Sequence, residues 1–251
     1  MKKLIILSIC LGMFAITATA QTKFSPYRPE FLANGLSSAA SKNDTKNIQK
    51  FIKHGADINA IDSDGNTALM AAAITNSVES IRLLISLGAD VNAKGSDGDT
   101  ALILAAAENS TAAAKQLIKY GADINAQNIW GMTALMSASL RNNIELVKLL
   151  IKRGADVNVQ EKLFGDTALM EAARRGYQEI TILLVEGGAD IRIKNGFGQT
   201  AMKVAILASQ PEVAELIKQT NQRVKYAKVK AITARLKQSL SNQDSTAKTS
   251  R

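Results

Sequence analysis

Cysteine and histidine are almost absent from this chain, which has one of each among its 251 residues, Cys10 and His54. Cys10 lies in a segment that we expect to be removed, so the mature chain would have no thiol for a disulfide or a thiolate metal site. The sequence also offers no serine–histidine–acid arrangement, no zinc-ligand cluster and no phosphate-binding loop. We therefore expect neither an enzyme nor a metal or cofactor site.

Aromatic residues are also scarce, at 4% of the chain, although hydrophobic residues make up 46% of it. Such a composition can fill a sizeable core, but mainly with aliphatic and alanine side chains. The positions of the few large rings are therefore informative.

The first twenty residues have the three parts of a secretory signal. Lys2 and Lys3 precede an apolar run over residues 4–16, and small residues then lead to an Ala-Thr-Ala sequence that ends at Ala20. This arrangement predicts cleavage between Ala20 and Gln21 and export to the periplasm or the exterior. The Met-Lys-Lys start with a short apolar core is typical of a bacterial signal.

Two alternatives for this segment fit less well. A membrane anchor would need about 20 apolar residues to span a bilayer, and the run is shorter. A lipoprotein signal would use Cys10, but Ile9 stands where a small residue is expected and the apolar run continues past the cysteine. We therefore treat residues 1–20 as a cleaved signal.

The rest of the chain repeats with a period of 33 residues, as from Gly55 to Gly88. One series of markers is the glycine of a Gly-Ala-Asp motif, at Gly55, Gly88, Gly121, Gly154 and Gly188. A second series is the glycine two residues before a Thr-Ala pair, at Gly65, Gly98, Gly131, Gly165 and Gly198. Both series contain one inserted residue, between Asn158 and Gly165. Two independent markers with one period indicate a solenoid of stacked repeats.

Each repeat has the pattern of two helices and a connecting turn. A threonine that can cap free helix amides precedes an alanine-rich run, at Thr67, Thr100, Thr133, Thr167 and Thr200. A second helix follows, in which apolar residues such as Val147 and Leu150 recur at helical spacing. It ends at a glycine such as Gly154, which suits the left-handed turn after a helix. Turn-forming residues then lead to the next helix pair.

These residues resemble the ankyrin repeat family, whose repeats share the pattern DxxGxTPLHxAAxxG followed by LLxxGAxxN. The likeness covers roughly residues 30–219. This chain lacks the histidine after the leucine and has alanine in place of the family's proline, at Ala68, Ala101, Ala134, Ala168 and Ala201. The resemblance implies an all-α solenoid whose units each have two antiparallel helices and a β-hairpin or turn finger. It also implies a non-catalytic module that binds other proteins through its finger tips and first-helix face.

We expect about six units in residues 30–220, after a linker over residues 21–29. The predicted units are a degenerate N-terminal cap over 30–61, full units over 62–94, 95–127, 128–161 and 162–194, and a C-terminal unit over 195–220. Pro211 suits the first turn of the last unit's second helix. His54 falls at a variable position near a helix C-terminus, so we assign it no catalytic or metal role.

The residue before each turn glycine changes character along the chain. The series is Asp64, Asp97, Trp130, Phe164 and Phe197. Equivalent positions of successive repeats are neighbours, so we predict that the three rings form one stripe, to which Ile129 and Leu163 add apolar area. Exposed aromatic residues are the usual energetic centre of protein interfaces. The alternative is that the rings lie across neighbouring fingers as structural packing.

The first-helix face provides a second candidate surface. Arg141, Glu171, Arg174 and Arg175 lie in the two units that carry the first two rings. Arginine beside aromatic residues is typical of protein interfaces, and the alternative is a solvated charged face. The predicted partner-binding surface consists of these four residues together with the ring stripe.

Positive charge is concentrated at the C-terminus. The net charge is +9, and from Asn221 onward eight basic residues and one acid, Asp244, contribute +7. Val229, Ile232, Leu236 and Leu240 recur here at helical spacing, which predicts a basic amphipathic helix within residues 221–251, followed by a disordered end from residue 241. The predicted anionic-surface residues are Arg223, Lys225, Lys228, Lys230, Arg235 and Lys237.

This basic segment has two candidate roles. Its apolar face would cap the open end of the solenoid, or the segment would bind an acidic partner or an anionic lipid surface. Nucleic acid fits less well, because no nucleic-acid motif is present and an exported protein rarely meets it. The sequence as a whole predicts an exported, monomeric protein-binding module. The alternatives are an envelope-associated adaptor that uses the basic helix, and an inhibitor of an exported enzyme.

Overall fold

The computed structural model describes residues 28–249, with side-chain surroundings as far as residue 235. The predicted signal segment, its cleavage site between Ala20 and Gln21, and nearly all of the predicted linker lie outside the described residues. The side chain of Lys237 also lies outside them.

The described residues form twelve α-helices in six helix-turn-helix units. The first helices of the units are α1 (Pro29–Ser41), α3 (Ala68–Ile74), α5 (Ala101–Ala107), α7 (Ala134–Leu140), α9 (Ala168–Arg175) and α11 (Ala201–Leu207). The second helices are α2 (Thr45–Lys53), α4 (Val78–Ser86), α6 (Thr111–Lys119), α8 (Ile144–Lys152), α10 (Gln178–Glu186) and α12 (Pro211–Thr249). First helices contact the first helices of adjacent units, and second helices contact second helices. The predicted all-α solenoid is confirmed.

The first helices after α1 begin at threonine caps. The side-chain oxygen of Thr133 accepts the backbone N–H of Met136 at 3.2 Å, and Thr100 accepts that of Ile103 at 3.4 Å. The alanines that follow are fully buried, among them Ala72, Ala105 and Ala172. Because an alanine side chain is small, the first helices of neighbouring units can approach closely.

The second helices bury one aliphatic face against the first helices. Its fully buried members include Ile81, Leu84, Leu117, Leu146, Leu150, Ile180 and Leu184. After α8 the chain turns at Gly154, whose φ of +87° lies in the left-handed region, as its place after a helix predicts. The second helices provide the large apolar side chains of the core. The alanine-rich first helices allow neighbouring units to pack closely.

The asparagine of the Gly-Ala-Asp-x-Asn motif joins each unit to the next. Asn92 Oδ1 accepts the backbone N–H of Asp123 at 2.8 Å, and Asn125 and Asn158 accept the equivalent N–H groups one unit further on. In the last copy of the motif Arg192 replaces the asparagine. Its guanidinium bonds to Asp190 at 2.9 and 2.8 Å and lowers the pKa of that carboxyl to about 2. The asparagine of each copy thus forms a hydrogen bond to the next copy of the motif, and the last copy, which has no further copy after it, carries Arg192 instead.

The fingers are turns rather than regular β-hairpins. Within residues 28–249 the β-bridging is confined to one isolated antiparallel pair, Ile61 with Thr67. A side chain at the start of the turn accepts the backbone N–H groups that a paired strand would otherwise accept. Asn128 Oδ1 accepts the backbone N–H groups of Trp130 at 3.0 Å and Met132 at 2.9 Å.

Helix α12 begins as the second helix of the last unit. Its first residue is Pro211, as predicted, and Val213, Ile217 and Thr220 are buried against the repeats. Beyond Thr220 the same helix continues without a break. None of the helices in residues 28–249 combines the length and the apolar character needed to cross a bilayer.

One of the two roles considered for the C-terminal segment differs from the structure. Tyr226, Val229 and Ile232 are 73%, 61% and 58% exposed, so the apolar face does not cap the solenoid. A helix continuous with the last unit cannot fold back onto it. The helix runs from Pro211 to Thr249. No glycine or proline follows Pro211, so the sequence contains no strong helix breaker there.

Candidate functional site

Backbone hydrogen bonds between successive fingers set the ring positions side by side. The N–H of Ile129 donates to the carbonyl of Asp97 at 3.0 Å, and the N–H of Lys162 donates to that of Trp130 at 2.8 Å. The N–H of Gly196 donates to the carbonyl of Phe164 at 2.7 Å. Asp97, Trp130 and Phe164 therefore each contact the next finger, which keeps these positions in register along the solenoid.

The three rings lie on the exposed edge formed by these fingers. Trp130 and Phe164 are 45% and 47% exposed, and Phe197 is 68% exposed. The rings of Phe164 and Phe197 stack with centroids 6.0 Å apart and planes 25° apart. The structure thus places two of the rings in direct contact, while a large part of each remains available to a partner.

Trp130 and Phe164 meet across an open cavity of about 280 Å³ between the fingers and the first helices. The cavity is lined by Trp130, Met132, Met136, Leu140, Glu161, Leu163, Phe164, Asp166 and Glu171. Met136 and Leu140 are four residues apart on α7, so they line up along its side of the cavity, and Met132 lies just before the helix. Leu163 is 71% exposed at its edge. We call this cavity, with the three rings and Leu163, the aromatic groove.

A change in one polar pair explains why the cavity opens at this point. In the unit before, the carboxylate of Asp99 accepts the side-chain N–H of Asn128 at 2.8 Å, and in the unit after, Asp166 accepts that of Asn195 at 2.8 Å. Between these two pairs, Met132 occupies the aspartate position. No such hydrogen bond can form there, and the apolar side chain of Met132 lines the space in place of a carboxylate.

Burial changes the pKa of the carboxyl group in the first of these pairs. It raises the pKa of the Asp99 carboxyl, and the hydrogen bond from Asn128 offsets part of that rise. Replacing the aspartate by Met132 in the next unit therefore removes both the carboxylate and its desolvation penalty.

The inserted residue of the repeat lies in the finger that carries Phe164. In this wider turn Glu161 does the work of the shorter Asn128, because its carboxylate accepts the N–H groups of Leu163 at 2.6 Å and Phe164 at 2.7 Å. It also accepts the N–H of Asp166 at 3.0 Å. The longer side chain fits the longer turn, and the turn presents Leu163 beside the ring of Phe164.

The predicted arginines are divided between structure and surface. Arg174 forms an ion pair with Asp166, which is 2% exposed, and a second one with Glu171. Burial alone would lower the pKa of Arg174, but the hydrogen bond to Asp166 and the charge of Glu171 raise it. Arg175 reaches Glu171 only at 3.8 Å and remains exposed. Arg174 therefore has a structural role, while Arg175 has a long contact with Glu171, which itself lines the groove.

Arg141 lies at the C-terminal end of α7, in the unit of Trp130. Its Nε donates to the carbonyl of Ala107, and its guanidinium lies 3.8 Å from the carboxylate of Glu108. These contacts tie it to the preceding unit. The structure gives no contact between Arg141 and the arginines of α9, so the predicted arginine cluster consists of separate groups.

Replacing Arg174 with glutamine should lower the free energy of unfolding by about 1–3 kcal/mol. The change leaves the buried carboxylate of Asp166 with Asn195 as its remaining side-chain partner. Urea unfolding followed by circular dichroism measures the effect. Arg175→Gln is the matched control and should change stability by less than about 0.5 kcal/mol, because an exposed ion pair contributes little. Equal losses from both variants would refute the structural role of Arg174.

The remaining sequence candidates lie outside the aromatic groove. His54 ends α2, and its Nδ1 lies 2.6 Å from the carbonyl oxygen of Lys50. Across residues 28–249 no three histidine, cysteine, aspartate or glutamate side chains are grouped to hold a metal ion. In the basic helix, Arg223 donates to Thr220 Oγ1 at 3.1 Å, and Lys225, Lys228, Lys230 and Arg235 are exposed.

The stacked units and their fingers have a counterpart among known protein families. The family profile described as "Ankyrin repeats (3 copies)" matches residues 36–128, 94–161 and 135–227. These matches together run over most of the chain. The chain belongs to the ankyrin repeat family. A search of curated proteins finds no match.

Ankyrin repeat proteins are typically non-catalytic modules for protein–protein interaction. The sequence predicted its rings and Leu163 from their departure from the repeat. It missed Met132, Met136 and Glu161. The signal for Met132 was available, since it stands where Asp99 and Asp166 stand in the adjacent units.

Proposed function

We propose that this ankyrin repeat protein binds a protein partner through the aromatic groove. The observation that carries the proposal is the open apolar cavity of about 280 Å³ that lies between Trp130 and Phe164. Exposed rings around an apolar cavity are unfavourable in water unless a partner covers them. A cavity of this size accommodates one large apolar side chain of the partner, with the stacked rings of Phe164 and Phe197 beside it.

Polar groups around the cavity favour a protein side chain over a free apolar molecule. The carboxylates of Glu161, Asp166 and Glu171 line its polar side, and each already accepts hydrogen bonds from this chain. They would add little attraction for a cation. Arg175 and the polar groups of the fingers then form a polar rim around this apolar centre. A polar rim around an apolar centre is the usual composition of a protein interface.

We further propose that the protein acts outside the cytoplasm, in the periplasm or the exterior. The support is the sequence of residues 1–20, with its basic start, apolar run and Ala-Thr-Ala end. Fractionation of the native cells, followed by N-terminal sequencing of the isolated protein, tests this proposal. A mature N-terminus at Gln21 in the exported fraction is expected. An intact Met1 in the cytoplasmic fraction would contradict it.

Capture of the partner from that fraction tests the binding function with three forms of the chain starting at Gln21. One is unaltered, one carries Trp130→Asp, Phe164→Asp and Phe197→Asp, and one ends at Thr220. Circular dichroism must first show that all three are folded. A partner lost from the ring variant alone supports the aromatic groove. Loss from the shortened form alone would move the function to α12.

A second candidate function rests on α12, whose apolar residues are uncovered and whose cations are exposed. It is an adaptor role, in which the helix holds the solenoid at an anionic lipid surface or an acidic protein of the envelope. Inhibition of an exported enzyme is a special case of the first function. If the captured partner is an enzyme, its activity with and without the ankyrin protein decides whether binding inhibits it.

A further inference from the structure

The exposed part of α12 combines an apolar stripe with two rows of cations. Tyr226, Val229 and Ile232 follow one another at three-residue steps and all are exposed. With about 100° of rotation per residue, they lie on one side of the helix. Nothing in the repeats covers this side, because buried contacts with the solenoid end at Thr220.

Four of the exposed cations flank this stripe, two on each side, while Lys225 falls within its angular range at the end near the repeats. Measured from Val229 and at about 100° per residue, Lys230 and Arg223 lie roughly 100–120° to one side. Lys228 and Arg235 lie a similar angle to the other. The third side, opposite the stripe, carries Ala227, Ala231 and Ala234, which are also exposed.

The charges of this segment are all of one sign. No aspartate or glutamate occurs between Asn221 and Gln243. Lys225 lies near the repeats, where its charge helps to lower the pKa of Asp190. The rest of the exposed helix therefore presents an uncompensated positive surface on both edges of an apolar stripe.

We infer that α12 beyond Thr220 lies on an anionic phospholipid surface, with the Tyr226–Val229–Ile232 stripe at the acyl boundary. The flanking lysines and arginines then reach outward to headgroup phosphates on both sides of the stripe, as amphipathic side chains do at an interface. A phospholipid bilayer has an apolar interior and, where its lipids are anionic, negatively charged headgroups at its surface. This layering matches an apolar stripe with cations on both sides. An acidic protein would supply charge without the apolar layer beneath it. This inference rests on the second candidate function and names its partner.

The orientation follows from the continuity of the helix. Because α12 is one helix from Pro211 onward, it connects the lipid-bound part rigidly to the last repeat. Cations spaced along the stripe would be costly inside the hydrocarbon, so the helix lies in the plane of the interface. The protein would thereby be held at the surface while the aromatic groove, on the fingers of other units, stays free to bind.

Vesicle co-sedimentation of the chain starting at Gln21 tests this inference. The probes are vesicles of phosphatidylcholine with phosphatidylglycerol and vesicles of phosphatidylcholine alone. Binding to the anionic vesicles only, with weakening as salt rises, is the expected result. Equal binding to both vesicles, or to neither, would overturn the inference.

Variants of α12 separate the two parts of the surface. Lys228→Gln with Lys230→Gln should weaken binding to anionic vesicles about 25-fold, since each cation near such a surface contributes about a fivefold factor. Tyr226→Ser, Val229→Ser and Ile232→Ser together should weaken it about tenfold or more. The matched control, Ala227→Ser with Ala231→Ser and Ala234→Ser, should bind within about twofold of the unaltered chain. A control variant that loses as much binding would contradict the assigned face.

Two further measurements keep this inference separate from the aromatic groove. The chain with Trp130→Asp, Phe164→Asp and Phe197→Asp should bind anionic vesicles as the unaltered chain does, whether or not a protein partner is found. If it does not, the rings contact the lipid and the inference is wrong. Retention on poly-glutamate without vesicle binding would also overturn it, in favour of an acidic protein partner.

Discussion

Replacing Trp130 with alanine should weaken binding of the captured partner about 30-fold or more. A buried aromatic anchor at the centre of an interface contributes about 2 kcal/mol or more, and each 1.4 kcal/mol is a factor of ten in affinity. Trp130 lines the cavity and keeps 45% of its surface exposed, so its loss removes one wall of the binding site. Isothermal titration of the partner into the purified chain measures the change.

Tyr120→Ala is the matched control for this measurement. Tyr120 is 40% exposed, close to the value for Trp130, but it ends α6 and does not line the cavity. Its replacement should leave the affinity within about twofold, the range expected for a contact outside the interface. If both substitutions weaken binding equally, exposure alone and not the aromatic groove would explain the effect.

Replacing Leu150 with alanine should lower the free energy of unfolding by about 2–5 kcal/mol. Leu150 is fully buried in α8, and removing most of its side chain creates a cavity that the neighbouring helices cannot fill. Each unit contacts only its neighbours, so the loss falls on the central units, which also carry the groove. Urea unfolding measured by circular dichroism gives the change in the transition midpoint.

The same substitution at an exposed leucine provides the control. Leu163 is 71% exposed on the finger beside Phe164. Leu163→Ala should change stability by less than about 0.5 kcal/mol, since surface substitutions of this kind rarely do more. It should still weaken partner binding, because Leu163 lines the cavity. A stability loss like that of Leu150→Ala would show that the wide finger is part of the core.

The sequence predicted the fold well because the residues that determine the local structure recur from repeat to repeat. Thr100 and Thr133 occupy equivalent positions because each caps a helix. Gly154 has glycine counterparts in other repeats because the second helix ends there in a left-handed turn. The asparagine of the Gly-Ala-Asp-x-Asn motif recurs because it bonds to the next unit. These are local requirements, and a local requirement repeated five times is visible without a structure.

The groove was only half visible in the sequence. Trp130 and Phe164 stood out as departures from an acidic series, but their burial and stacking depend on neighbouring units. The cavity arises because Met132 interrupts the aspartate–asparagine pairing between fingers, and because Glu161 serves a turn that is one residue longer. The aspartate–asparagine pairs join residues 29 positions apart, so their interruption appears only when the units are stacked, whereas the hydrogen bonds of Glu161 are local to its own turn.

For the C-terminal helix the sequence left two roles open, a cap on the solenoid and a contact with an anionic surface. Val229 and Ile232 do share one side, but the helix does not turn back to cover the last unit. The sequence from Glu212 onward contains no glycine or proline, which favours one continuous helix over a separate capping helix. Attention to that absence would have predicted the exposed stripe.

Photo-crosslinking tests most directly the central claim that a protein partner occupies the aromatic groove. A p-benzoyl-phenylalanine introduced in place of Leu163, and in a second chain in place of Tyr120, is irradiated with the exported fraction, and adducts are identified by mass spectrometry. The account predicts one specific protein adduct from the position of Leu163 and none from that of Tyr120. The same adduct from Tyr120, or adducts with phospholipid alone from Leu163, would contradict it.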